Sequence, residues 1–110
     1  MSYEVSMTND AVRDLDGIVD YVAERDLPKK ALDLFNSIAE TIGRLSDQPN
    51  RGARPKELAA LGIKDYREVY FKPYRIIYRV VESEQMVYVY LIADGRRNLQ
   101  TLLARRLLQA

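Results

Sequence analysis

The sequence predicts an α+β fold, and three observations carry the prediction. Apolar residues recur at helical spacing between Ala11 and Leu45, and the period falls to two between Tyr66 and Ile92. Between the two regimes, Ser46–Lys64 is broken by Pro49, Asn50, Gly52, Pro55 and Gly62. A chain of 110 residues is sized for one domain, so residues 1–110 are expected to share one core. With 47% hydrophobic and 30% charged residues, the balance is globular rather than disordered.

Tyr3-Glu-Val-Ser-Met7 alternates as a short half-buried strand does, and Thr8 or Asn9 can cap the helix that follows. Ala11, Leu15, Ile18 and Val22 form one stripe of that helix, flanked by Val12 and Val19, with Asp14, Asp16, Asp20 and Glu24 off it. Gly17 weakens such a helix, which suggests a close packing contact there. Arg25-Asp-Leu-Pro28 ends it and begins another, since Pro suits a first helical turn. Ala31, Phe35, Ile38, Ile42 and Leu45 then mark a second helix, and the short link makes the pair an antiparallel hairpin.

In the irregular segment, Lys56–Leu61 fits one helical turn. Three strands follow, Tyr66–Phe71, Tyr74–Val81 and Met86–Ile92, joined by turns at Lys72-Pro73 and Glu82–Gln85. On the middle strand, Tyr74, Ile76, Tyr78 and Val80 read as the core face. Arg75, Ile77, Arg79 and Val81 read as a face that is at least partly wet. Asn98–Leu108 carries Leu99, Leu102, Leu103 and Leu107 at helical spacing, and Arg105-Arg106 reads as its solvated end.

The chain has neither Cys nor His, which excludes disulfides, thiol nucleophiles, imidazole acid–base chemistry and nearly every zinc site. No cofactor or metal is expected. No apolar run is long enough for a membrane span, and early acidic residues Glu4 and Asp10 argue against a signal peptide, so a cytoplasmic protein is expected. The net charge of +1 conceals a division: residues 1–50 hold ten acidic and five basic residues, whereas residues 51–110 hold six acidic and twelve basic. Nine of those twelve are Arg, the side chain best formed for phosphate or carboxylate. Such a surface fits a polyanion or an acidic partner; two solvated faces of opposite sign are the structural alternative.

Asp65-Tyr-Arg-Glu-Val-Tyr70, Tyr74-Arg-Ile-Ile-Tyr-Arg-Val80 and Asp94-Gly-Arg-Arg97, in this order of elements, resemble the RelE/ParE family of bacterial type II toxin–antitoxin toxins. The resemblance spans essentially the whole chain. It implies one antiparallel-dominated sheet with the first strand beside the last, and a cognate antitoxin that wraps the toxin. RelE-like members cut mRNA on the ribosome, and ParE-like members poison DNA gyrase.

The residues bear on that division. Arg75 and Arg97 align with basic positions of the ribonuclease members, where cations surround the phosphate. Tyr66 and Glu68 stand where those members carry lysines, Leu103 where they carry a Tyr, and Asp94 where other branches carry a His. If this chain is a ribonuclease, its set is Glu68 as base, Tyr74 (or Tyr70) as proton donor, and Arg75 and Arg97 as phosphate clamps. The structural alternative pairs Glu68 with a neighbouring Arg, and Arg75 or Arg79 with Glu68 or Glu84 across strands.

The incomplete proton-transfer set favours a ParE-like toxin that is not an enzyme, with gyrase as target and the ribosome and mRNA as the alternative. Its expected docking surface is Arg67, Lys72, Arg75, Arg79, Arg96 and Arg97. An antitoxin helix is expected over Val12, Leu15, Ile18, Val22, Phe35 and Ile42, with an extended segment continuing towards the arginines.

Overall fold

In the computed structural model, which describes residues 2–108, the chain runs β1 (Glu4–Met7), α1 (Asn9–Arg25), α2 (Pro28–Gly43), α3 (Lys56–Ala59), β2 (Tyr66–Phe71), β3 (Tyr74–Val81), β4 (Met86–Asp94) and α4 (Leu99–Leu108). The expected order of elements holds. One four-stranded sheet has the order β1-β4-β3-β2, with β1 parallel to β4 and the other pairs antiparallel.

Local chemistry sets the boundaries. The Thr8 hydroxyl accepts the Ala11 N–H at 3.1 Å and starts α1. The Asp26 carboxylate accepts the Leu27 N–H at 2.8 Å, and Pro28 opens α2 directly afterwards. The hairpin lays Ala11, Leu15, Ile38 and Ile42 against Val69, Ile76, Tyr78 and Val89 of the sheet. The Tyr78 hydroxyl, at the end of a fully buried ring, donates to the Pro49 carbonyl at 2.7 Å and accepts the Gly52 N–H at 3.0 Å. A Cβ at Gly52 would lie 2.5 Å from the Glu68 carbonyl oxygen, so only glycine allows the loop this close to β2.

The second sheet face differs from expectation. It is covered, because α3 and α4 seal Ile77, Leu91 and Ala93 under Leu58, Leu99 and Leu103. On this face Arg79, at the far end of β3, and Tyr70 of β2 stay exposed. A β-bulge lets β4 serve both cores: Ile77 faces Leu91 while Tyr78 faces Val89, leaving Tyr90 as the extra residue. Val87, Val89 and Ile92 therefore join the hairpin-side core, while Leu91 and Ala93 join the other.

A second correction concerns Arg106, which is no solvated helix end. β1 stops opposite Val89, so β4 beyond that point has no strand on its outer side. There Asp14 accepts the Ile92 N–H at 3.0 Å, Arg106 donates to the Tyr90 carbonyl at 2.8 Å, and the two side chains form two bonds at 2.9 and 3.0 Å. The pair occupies the place of a longer β1 and ties α1 to α4 around the strand. Gly17, by contrast, marks no close contact: a Cβ there would meet nothing within 4 Å.

Removing either partner strands the other, along with one backbone group of β4. Asp14→Ala and Arg106→Ala are each expected to cost roughly 1–3 kcal/mol. The double variant should cost less than the sum of the two, as read from urea-unfolding midpoints. Strict additivity would mean that the two side chains act independently.

Candidate functional site

The residues singled out by sequence fall on three separate surfaces. On the α4 side of the sheet, β2 and β3 present Glu68, Tyr70 and Arg75, since Tyr70 is registered with Arg75 and Glu68 with Ile77. Arg75 is 5% exposed and Glu68 6%. The Arg75 Nε donates to Glu68 Oε1 at 2.6 Å, and its two terminal nitrogens donate to Glu57 of α3 at 2.7 and 2.8 Å. The Tyr70 hydroxyl adds a bond to the other Glu68 oxygen at 3.2 Å. A Cβ on Gly95 would come within 3.1 Å of the Arg75 side chain, so the turn after β4 closes over its stem.

Two carboxylates thus surround one guanidinium. The Arg75 charge holds the Glu57 carboxyl down at about 2, chiefly through the paired hydrogen bonds and against the opposing effect of burial. Arg75 is itself pushed above its ordinary value, first by Glu57 and then by Glu68. Burial, followed by the charge of Glu68, raises the Tyr70 phenol. Arg75 is therefore withdrawn from the expected docking surface, and Glu68 has the cross-strand arginine partner that the structural alternative predicted.

The four residues of the ribonuclease hypothesis do not converge. Tyr74 belongs to the hairpin-side face with Ile76 and Tyr78, opposite in alternation to Arg75. It lines a second site, a cleft of about 590 Å³ between α1 and the ends of β3 and β4, together with Arg97, Arg96, Asp94, Arg13 and Tyr21. Burial raises the Tyr74 phenol, with the Asp94 charge adding to it. Asp94 is held down at about 2 by the Arg96 side chain, which forks onto it at 2.9 and 2.6 Å. Leu103, at the position of the missing Tyr, is wholly buried in the α4 core.

The remaining cations are also dispersed. Lys72 is exposed at the β2–β3 turn, which touches the turn after β4 through the Gly95 N–H and the Pro73 carbonyl at 2.7 Å. Lys72, Arg96 and Arg97 thus share one end of the sheet. Arg97 is exposed and has no carboxylate partner among the described residues. Arg79 lies on the α4 side opposite Tyr66 and Tyr88, towards the other end. Arg67 points to the hairpin side and donates to the Gly52 carbonyl at 2.8 Å.

The third surface is apolar. Val12, Leu15, Phe35 and Ile42 line a groove of about 510 Å³ floored by Val5 and Met7 of β1. Val12 is 42% and Phe35 39% exposed. Ile18 turns instead into the polar cleft, and Val22 is half-buried further along α1.

Sequence reasoning missed Glu57, which lies outside the strand motifs, and Arg13, Gly17 and Tyr21, which line the cleft at intervals of four on α1. That spacing was the available signal. Among the described residues, no acidic cluster is placed to hold a metal ion, and no helix is long and apolar enough to cross a membrane.

Because the Glu57 carboxyl lies below its unfolded value of 4.5, its stabilising effect is complete above that pH. It is lost as the pH falls towards about 2. Glu57→Gln is expected to lower stability at neutral pH by up to about 3 kcal/mol and to flatten the acid limb of the stability curve between these limits. Urea unfolding across pH measures both, and a parallel downward shift with no change of slope would separate Glu57 from the acid response.

The comparisons with known proteins agree with this architecture. The model of the ParE toxin of the type II toxin–antitoxin system parDE matches residues 5–99. Among solved structures, a chromosomal ParDE toxin–antitoxin system from P. aeruginosa is 26% identical, with a TM-score of 0.70 over 84% of this chain and 96% of that one. The RelBE2 toxin–antitoxin complex from Mycobacterium tuberculosis is 24% identical, with a TM-score of 0.61 over 86% of this chain and 99% of the other. A mutant of the E. coli toxin RelE in the free state is 13% identical, with a TM-score of 0.64 over 93% of each chain. No curated protein sequence matches the chain. The match to the ParE model spans nearly the whole fold, and the chain belongs to the ParE toxin family, within the RelE/ParE group of type II toxin–antitoxin toxins.

Proposed function

We propose that this toxin acts by binding and poisoning DNA gyrase rather than by cutting mRNA. The observation that supports this reading is the occupation of Arg75. A phosphate clamp needs a cation with free N–H groups facing solvent, and this one is buried between Glu57 and Glu68. Glu68 is engaged by the same contact, Tyr74 faces the opposite side of the sheet, and Leu103 cannot move a proton. Of the expected docking residues, Lys72, Arg96 and Arg97 stay exposed together at one end of the sheet, apart from Arg79 at the other, and such a cationic end is suited to a protein–protein or protein–DNA contact rather than to acid–base chemistry.

The proposed partner in the resting state is a cognate antitoxin, as in the ParDE and RelBE2 assemblies. Its helix is assigned to the groove between Val12, Leu15, Phe35 and Ile42, where an amphipathic helix buries its apolar face. An extended continuation would reach the Lys72/Arg97 end and mask it. Arg75 takes no part in that masking.

Purified toxin is expected to trap gyrase cleavage complexes and to leave mRNA intact on programmed ribosomes. Combining Lys72→Glu with Arg97→Glu should reduce gyrase trapping by about tenfold or more, with an effect that weakens at high salt. Ribosome-dependent cuts with gyrase unaffected would overturn the proposal in favour of the RelE-like activity.

Phe35→Asp and Val12→Asp lie at exposed positions and should leave the thermal midpoint nearly unchanged. Each is expected to weaken the antitoxin complex by at least about 1–2 kcal/mol. Undiminished affinity in calorimetric titrations would place the antitoxin elsewhere.

A further inference from the structure

The cleft between α1 and the end of β4 has a composition that gyrase contact does not require. Tyr21 on one wall is 57% exposed, and the Arg25 guanidinium lies 3.9 Å from its ring centroid. Tyr74 forms another wall from β3, and Arg97, which has no carboxylate partner among the described residues, lines the cleft with Arg13, whose guanidinium is taken by Asp10 at 2.5 Å. Gly17 lies between Arg13 and Tyr21 on the same helical face, and the space that its side chain would fill is open.

The backbone adds a polar wall. The Ile92 N–H points away from β3 and is taken by Asp14, and the Tyr90 carbonyl is taken by Arg106. Strand alternation gives the Ile92 carbonyl and the Asp94 N–H the same outward aim, so one acceptor and one donor face the cleft. A peptide strand adding to the sheet needs a run of such groups, and the Asp14–Arg106 pair has already consumed the neighbouring ones. One acceptor beside one donor matches the edge of a nucleobase. The tyrosine rings suit its π-faces, and Arg97 suits the attached phosphate.

We propose that this cleft binds a nucleoside monophosphate unit, either as a free nucleotide or as one residue of a single strand. The base lies against Tyr21 and Tyr74 with its edge on β4, and the phosphate lies at Arg97. Gly17 keeps the slot open. The inference does not depend on the gyrase reading, since it concerns the isolated chain, and its failure would leave that reading standing.

The test is fluorescence anisotropy of the full chain with a labelled short oligodeoxyadenylate at near-physiological salt, against an abasic strand of equal length. The abasic strand and the variants Gly17→Leu, Tyr21→Ala and Arg97→Ala are each expected to bind about tenfold or more weakly than the reference pair. Gly17→Leu replaces a helix-weakening residue at a position where an added Cβ meets nothing within 4 Å; its thermal midpoint, measured alongside, should be equal or higher, so that loss of binding is not assigned to unfolding. Displacement of the strand by free deoxyadenosine monophosphate identifies the free nucleotide as sufficient. Base-dependent binding without displacement identifies the strand as the source. Equal binding of the abasic strand, or full affinity in both Gly17→Leu and Tyr21→Ala, overturns the proposal, as does the absence of binding to any probe.

Discussion

The arrangement of this molecule depends on how one buried cation is neutralised. A guanidinium in a nearly dry interior is tolerable only when its donors are met by charged acceptors of good geometry, because the desolvation cost is several kcal/mol per ion. Arg75 meets that condition with three short bonds to two carboxylates. One of those carboxylates comes from the neighbouring strand and the other from a four-residue helix in an otherwise irregular segment. The ion pairs therefore fix where α3 sits, and α3 in turn supplies Leu58 to the core shared with α4. The second face of the sheet can close because its central cation has been neutralised in place.

The proposed choice of gyrase over mRNA rests on the same constraint. Guanidinium groups bind phosphate through the same forked N–H geometry that binds carboxylate. The two uses compete for one side chain, and here Glu57 and Glu68 take it. The motif on β3 is that of the wider family, while its partners give the arginine a structural task. Family membership accordingly says less about chemistry than the surroundings of one residue do.

Periodicity made most of the fold legible. The helical hairpin, the three-strand meander and the final helix follow from apolar spacing and turn residues, and even the single turn at Lys56 was visible. Alternation misjudged the second sheet face because Arg75 and Arg79 look alike in sequence. Only the covering by Leu99 and Leu103 divides them into a buried residue and an exposed one. The β4 bulge was hidden by a run of apolar residues from Met86 to Ala93, in which the period of two cannot be followed. Arg106 was misread for a similar reason: an arginine near a helix end needs no partner, and its partner Asp14 lies 92 positions away in the chain. The docking strip failed as a single surface because sequence order places cations side by side that alternation, burial and the sheet ends then scatter.

The sites that remain open share an origin in the shortness of β1. Four residues of β1 cover only part of the nine-residue β4, and an unpaired strand edge must be paired, covered or otherwise satisfied. Asp14 and Arg106 satisfy the first part of the uncovered length by side-chain bonds, and α1 does not fill the remainder. The polar cleft is that remainder. The apolar groove lies along β1 itself, where Val5 and Met7 are roofed by helices whose small residues Ala39 and Gly43 fail to close the space. Both surfaces thus arise where regular pairing and packing run out, on different faces of α1. A ligand in the cleft and a helix in the groove would contact the same helix on two of its faces.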